Sequence, residues 1–173
     1  MFNYIRGTLA EKNPAEVTIE AGGVGYCVEI PLSTFEVLPQ PGEEAKLLTH
    51  FHVREDTRRL YGFATSTERD TFRRMIGISG IGPKVALSVL SKVPVGELMS
   101  AAAAGDASRF KSVPGIGTKT AQRLVMELKD KFKDLAPPEA GMVVERSTGG
   151  LREVRTEAGE AMIALGYSER QVN

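Results

Sequence analysis

Hydrophobic residues are distributed along this chain in two ways. Up to residue 63 they form short runs rich in Val, Ile, Tyr, Phe and Thr, at 4–12, 16–21, 24–30, 45–54 and 58–63. Asn13-Pro14, Gly22-Gly23, residues 39–42 and residues 55–57 separate the runs, and clusters of this kind interrupt strands. The pattern predicts five short strands, since β-branched and aromatic residues suit a pleated, half-buried surface. Five strands in about sixty residues predict a small closed or partly closed barrel, of which the OB-fold is the commonest five-stranded example.

At Thr65 the pattern becomes helical. Thr65 with Glu68 three residues on makes a capping box ahead of Phe72, Met75 and Ile76, which marks a helix start. Further helices are predicted at 84–91, 95–104, 107–111 and 118–133, with Gly and Pro at every junction. The stretch 136–150 mixes Pro, Gly and charge with little periodicity and reads as a flexible linker. Beyond it Leu151, Val154, Ala158, Ala161, Met162 and Leu165 recur at helical spacing. Gly166 supplies a stop, and Ser168 with Gln171 would cap a second helix cut off at Asn173. One and a half helices bury no core of their own, so this tail is expected to continue or to fold against something else. The predicted class is α+β and multidomain: a barrel domain over 1–63, a helical domain over 64–135, a linker over 136–150 and the start of a C-terminal helical domain over 151–173.

Composition narrows the function classes. With 42% hydrophobic and 25% charged residues in 173, the chain is neither disordered nor fibrous. Cys27 is the only cysteine, which excludes intramolecular disulfides and multi-cysteine metal sites, fits a reducing compartment, and leaves Cys27 to pack as a small hydrophobe. His50 and His52 lie two apart on a strand, a spacing that could put them on one face, but no third metal ligand accompanies them, so a structural or surface role is expected. The sequence contains no signal-peptide pattern and no run of about 18 apolar residues, so a cytoplasmic protein without a membrane partner is predicted.

Charge then changes the picture. Overall, 22 Lys and Arg balance 22 Asp and Glu. Residues 1–62 hold 6 basic and 9 acidic side chains, residues 63–135 hold 12 and 7, and residues 136–173 hold 4 and 6. The helical block is the basic one, as a nucleic-acid footprint would be.

That block contains an internal repeat. Gly80-Ile81-Gly82-Pro83-Lys84-Val85-Ala86 and Gly115-Ile116-Gly117-Thr118-Lys119-Thr120-Ala121 are related by a shift of 35 residues. In each copy a helix ends in a tight Gly-x-Gly turn and the next begins with unpaired N–H groups pointing outward. Such a terminus attracts phosphate, and a lysine in the first turn adds a point charge. Ile81, Val85, Leu87, Ile116 and Leu124 would pack the helices of each pair together. This is the helix-hairpin-helix pattern, a reader of the DNA backbone rather than of base edges. Competing phosphate motifs fail on spacing. A Walker A loop needs Lys directly after its last Gly, whereas Pro83 and Thr118 stand there. A dinucleotide fingerprint needs a third Gly, where Val85 and Thr120 stand, and a preceding strand.

The tandem hairpins, the barrel, Val53-Arg54-Glu55-Asp56 followed by Leu60-Tyr61-Gly62-Phe63, the Pro/Gly linker and Ala164-Leu165-Gly166-Tyr167 together resemble the RuvA family, the Holliday-junction-recognition subunits of the bacterial branch-migration complex. The resemblance implies a homotetramer, one or two per junction, that binds four-way junction DNA, recruits the RuvB ATPase motor and admits the RuvC resolvase as a further partner. It implies that Glu55 and Asp56 are an acidic pin at the centre of a fourfold assembly, where two carboxylates would repel phosphates and hold the crossover open. It implies DNA contacts by Gly80, Gly82, Lys84, Gly115, Gly117, Lys119 and Arg123. Thr118 stands where the family often has a basic residue, so the second hairpin is expected to hold DNA slightly less tightly, though its hydroxyl can donate to a phosphate oxygen. Met162, Leu165 and Tyr167 are the implied motor contacts, and no catalytic residue, metal or cofactor is required.

The alternative class is a DNA-processing enzyme, a glycosylase or nuclease that docks through helix-hairpin-helix elements. A glycosylase would place a Gly/Pro-rich loop and a catalytic Asp after the hairpin, whereas residues 120–132 read as one amphipathic helix with Asp130 at its solvated end. A metal nuclease needs clustered carboxylates, and adjacent Glu55 and Asp56 in an extended segment point to opposite faces.

Overall fold

The computed structural model describes residues 2–131. Five strands, β1 (Tyr4–Asn13), β2 (Glu16–Ala21), β3 (Val24–Glu29), β4 (Glu44–Val53) and β5 (Arg58–Phe63), close into a barrel in the order β1-β2-β3-β5-β4. Neighbours are antiparallel except β3 and β5, which run parallel through Val28 and Leu60. β1 is long enough to serve two partners, pairing with β4 over its first half and with β2 over its second. Gly7 lies in the half paired with β4, and a Cβ there would lie 2.0 Å from the Glu20 carbonyl oxygen of β2, so only glycine fits this close approach. Alternate residues point inward, and Ile5, Leu9, Val17, Ile19, Val28, Ile30 and Leu47 form the barrel core.

The strand period corrects one expectation. Val28 is buried, so its neighbour Cys27 faces outward and is exposed rather than packed, because successive strand residues take opposite faces. A short helix, α1 (Leu32–Val37), follows β3 where no element was predicted. Six residues after Pro31 are too few to display a helical period. Phe35 and Leu38 nonetheless join the barrel core.

The helical block consists of α2 (Ser66–Ile76), α3 (Pro83–Lys92), α4 (Val95–Ala104), a 3-10 turn at Ser108–Phe110 and α5 (Thr118–Lys131). The helix predicted at 107–111 shrinks to that turn, because Asp106 Oδ1 accepts both the N–H and the hydroxyl of Ser108 at 2.9 and 2.6 Å. Such local capture competes with a longer helix. Phe72 of α2 lies with ring centroids 5.1 Å from Tyr61 and 4.9 Å from Phe63 of β5, so the last barrel strand contributes to the helical core. Each such aromatic pair adds about 1 kcal/mol beyond its burial. His50 and His52 do share a face, their rings against Phe72 and Tyr61. Arg54 Nε donates to His52 Nε2 at 3.1 Å. Among the described residues no group of three or more His, Cys, Asp or Glu is placed to hold a metal, and no single helix is long and apolar enough to cross a membrane.

Candidate nucleic-acid interface

The repeat in sequence is a repeat in hydrogen bonding. In the first copy the Ile78 N–H donates to Met75 O at 2.9 Å, Ile81 N–H to Ile78 O at 3.0 Å and Ala86 N–H to Gly82 O at 3.0 Å. In the second, Val113 donates to Phe110 O at 3.1 Å, Ile116 to Val113 O at 3.1 Å and Ala121 to Gly117 O at 2.9 Å. Every one of these bonds recurs 35 residues on. The repeat thus begins five residues earlier than identity alone reveals, at Met75 and Phe110, both buried, and continues through buried Ile78 and Val113. Those positions match in hydrophobicity and not in residue type, which is the signal a comparison of identities passes over.

Ile78-Ser79-Gly80-Ile81 and Val113-Pro114-Gly115-Ile116 are turns closed by those bonds. Their third residues have φ of +89° at Gly80 and +85° at Gly115, the type II geometry that selects glycine there. A Cβ on Gly115 would lie 3.3 Å from Val85 Cγ2, so the first turn of α3 abuts the second glycine turn. Lys92 Nζ donates to Ser112 O at 2.9 Å and ties the same two segments again.

Gly82 and Gly117 are different. Gly82 has extended backbone, φ −87° and ψ 171°, and a Cβ on either glycine meets nothing within 4 Å. The fold itself requires no glycine at these positions, and the free space lies beside the first turns of α3 and α5. Gly82 caps α3 without a side-chain hydrogen bond and Pro83 occupies the first helical position, so the Lys84 and Val85 N–H groups have no intrahelical acceptor. Lys84, Lys119 and Arg123 are exposed. None of them forms an ion pair among the described residues. Lys119 and Arg123 are four apart and share a face of α5. The 35-residue shift places Ser88 opposite Arg123, and Ser88 Oγ donates to Lys84 O at 3.0 Å. The second hairpin therefore carries Lys119 and Arg123 where the first carries Lys84 alone, with Thr118 exposed at the first position of α5.

The hairpin tip between β4 and β5 is closed by Arg54 N–H donating to Thr57 O at 2.8 Å. Glu55 and Asp56 are exposed there. Asp56 Oδ1 accepts the Thr57 hydroxyl at 3.1 Å, and neither carboxylate forms an ion pair among the described residues. Nearby, Glu29 is ion-paired to Arg59. Partial desolvation, then a hydrogen bond to Glu16, pushes the Cys27 thiol up to about 11, so it is protonated at neutral pH and a poor nucleophile. Met162, Leu165 and Tyr167 lie outside the described residues.

Two family models match the chain: the RuvA N-terminal domain over residues 1–62 and the SAM-like helix-hairpin-helix tandem over residues 72–130. The Holliday junction branch migration complex subunit RuvA of Methylibium petroleiphilum is 51% identical over 172 residues, covering 99% of this chain and 86% of that protein. The RuvA subunit of Leptothrix cholodnii is 50% identical over 172 residues, with the same coverage. That of Pseudomonas aeruginosa is 43% identical over 176 residues, covering 100% of this chain and 88% of the relative.

Proposed function

From the chain's membership of the RuvA family of Holliday junction branch migration complex subunits, we propose that it binds four-way junction DNA by its phosphate backbone and delivers that junction to the RuvB ATPase. It acts in the cytoplasm as a non-catalytic scaffold for branch migration in recombination and repair. The barrel carries the acidic tip, Glu55 and Asp56. The tandem hairpins supply amides near Gly80, Gly82, Gly115 and Gly117, with Lys84, Lys119, Arg123 and the Thr118 hydroxyl on phosphates. The segment from residue 151 engages the motor through Met162, Leu165 and Tyr167. The observation that carries this reading is the duplicated hydrogen-bonded turn, repeated at a shift of 35 residues, each copy beside exposed cationic side chains that form no ion pair among the described residues.

Backbone contacts carry little sequence information and are individually weak. A tetramer with one subunit per arm makes them simultaneous, so effective concentration converts weak contacts into a tight, shape-selective complex. One tetramer or two enclose the junction, and RuvC is a further partner.

The test is a gel-shift series on four-way, duplex and single-stranded DNA across salt, with wild type and the Lys84→Ala/Lys119→Ala variant. Wild type is expected to prefer the four-way substrate whatever the arm sequence. The variant should bind more weakly to every arm sequence, its salt slope flattened by about 2 for each bound subunit and so by about 8 for a tetramer with one subunit per arm. A folded variant that titrates as wild type rules out the hairpin assignment.

A further inference from the structure

Glu68 is the one Asp, Glu, Lys or Arg with a buried side chain among the described residues, 8% exposed, and its carboxylate leaves its own helix start. Thr65 Oγ1 accepts the Glu68 N–H at 3.2 Å, which completes half of the capping box. The carboxylate turns instead to α1, where Oε1 accepts Ser33 Oγ at 2.5 Å and Oε2 accepts Thr34 Oγ1 at 3.1 Å, with Thr65 Oγ1 more distant at 3.5 Å. Thr34, fully buried, also accepts the Ala64 N–H at 3.0 Å, at the joint between β5 and α2. Two residues before Thr34, the Leu32 N–H donates to Ser91 Oγ of α3 at 3.0 Å, and the Ser91 hydroxyl itself donates to Leu87 O at 2.8 Å. Three consecutive residues of α1 thus hold α3, α2 and the joint leading from the barrel.

This arrangement complements the aromatic seam. The stacking of Phe72 on Tyr61 and Phe63 fixes a separation, but ring contacts tolerate rotation. Hydrogen bonds are directional, and buried ones are costly to leave unmade. Arg69 to Asn3 Oδ1 at 2.8 Å and Arg73 to Thr49 O at 3.3 Å also join α2 to the barrel nearer the surface, while the α1 set includes the buried bond from Thr34 to Glu68. α2 ends at the first glycine turn and α3 begins after it, while the acidic tip sits at the far end of β4 and β5. The angle between barrel and first hairpin therefore decides whether tip and turn address one junction together.

We infer that α1 and Glu68 form a positioning bracket, in which Ser33, Thr34, Glu68 and Ser91 hold the first hairpin in register with the acidic tip and so set the preference for four-way over duplex DNA. The inference rests on the junction-binding reading above. A duplex can engage a hairpin away from the tip, whereas a four-way junction engages hairpins around it, and a tip out of register meets arm phosphates instead of the open crossover.

The experiment compares affinities for a four-way junction and a duplex of equal arm length at one salt concentration. It uses the full chain at a temperature where circular dichroism shows each variant folded. Glu68→Ala should lose about tenfold in four-way affinity, a small part of the gain that simultaneous engagement supplies, with duplex affinity unchanged within about twofold. Glu68→Gln keeps an acceptor for Thr34 and a polar head for Ser33, and should retain most of the wild-type ratio. Ser33→Ala/Ser91→Ala, which spares Glu68 and Thr34, should shift the ratio in the same direction as Glu68→Ala and decides the matter if that variant does not fold. Folded variants with the wild-type ratio, or with equal losses on both substrates, overturn the bracket. A wild-type protein with no preference for the four-way substrate overturns the junction-binding reading instead.

Discussion

At the scale of single residues the four motif glycines separate into two kinds. Gly80 and Gly115 sit at positive φ, so a side chain there is strained whatever the space. Gly115→Ala adds a methyl 3.3 Å from Val85 Cγ2 and is expected to cost more than Gly80→Ala, each being of order 1–2 kcal/mol. Gly82 and Gly117 have neither constraint. Alanine is a poorer N-cap than glycine by roughly 0.5–1 kcal/mol, but it restricts the unfolded chain by a similar amount, and the two effects nearly cancel. Gly82→Ala and Gly117→Ala should therefore leave stability within about 0.5 kcal/mol of wild type in urea titrations, while a methyl in the space beside the helix start holds a phosphate away and weakens four-way binding several-fold. Unchanged binding by both variants would mean that no backbone approaches there. The sequence marked all four glycines alike, because a motif records identity, while φ and free space are properties of the folded chain.

At the scale of elements, the strands were readable because each is bounded by turn residues, and α2 and α5 because their apolar stripes run for three turns or more. α1 was not readable: it is short, and its capping partners, Glu68 and Ser91, lie 34 and 59 residues from the groups they bind. The capping box predicted at Thr65 forms only by half, with Thr65 Oγ1 accepting the Glu68 N–H, since a carboxylate satisfied by distant hydroxyls leaves no local trace in sequence. The seam between β4 and α2 carries a pH dependence of its own. Burial, then Arg73, then His52, hold the His50 imidazole below its ordinary value near 6.5. At His50 the folded chain thus binds fewer protons than the unfolded chain between its lowered value and about pH 6.5. The His50 contribution to stability should be flat above that pH and fall as pH drops through the window between the unfolded and folded values. Chemical denaturation at pH 7.5 and 5.5 should give a smaller acid loss for His50→Gln than for wild type. Equal losses would place the proton uptake on other groups.

For the whole molecule, the charge division of the sequence acquires a geometry. The basic excess belongs to the helical block, and the barrel, acidic overall, ends in Glu55 and Asp56 at an exposed tip. No ion pair holds either carboxylate among the described residues, and Asp56→Asn keeps an oxygen to accept the Thr57 hydroxyl, so Glu55→Gln/Asp56→Asn removes the two charges without breaking a stabilising contact. Repulsion between exposed charges is about 1 kcal/mol at 4 Å in water and is largely screened beyond about 10 Å. In the proposed role, the tip would therefore act only on phosphates brought close to it, as at the crossing of four arms or when a duplex is laid across the tip. The neutralised protein is expected to bind four-way DNA at least as tightly as wild type and duplex DNA several-fold more tightly, so selectivity falls because the wrong substrate improves. The bracket variants reach lower selectivity from the opposite side, by weakening the right substrate. Measured side by side in one gel-shift series, the two sets separate repulsion by the tip from the alignment that brings it to the crossover. Loss of all binding in the folded tip variant would mean that these carboxylates attract a partner rather than repel a phosphate.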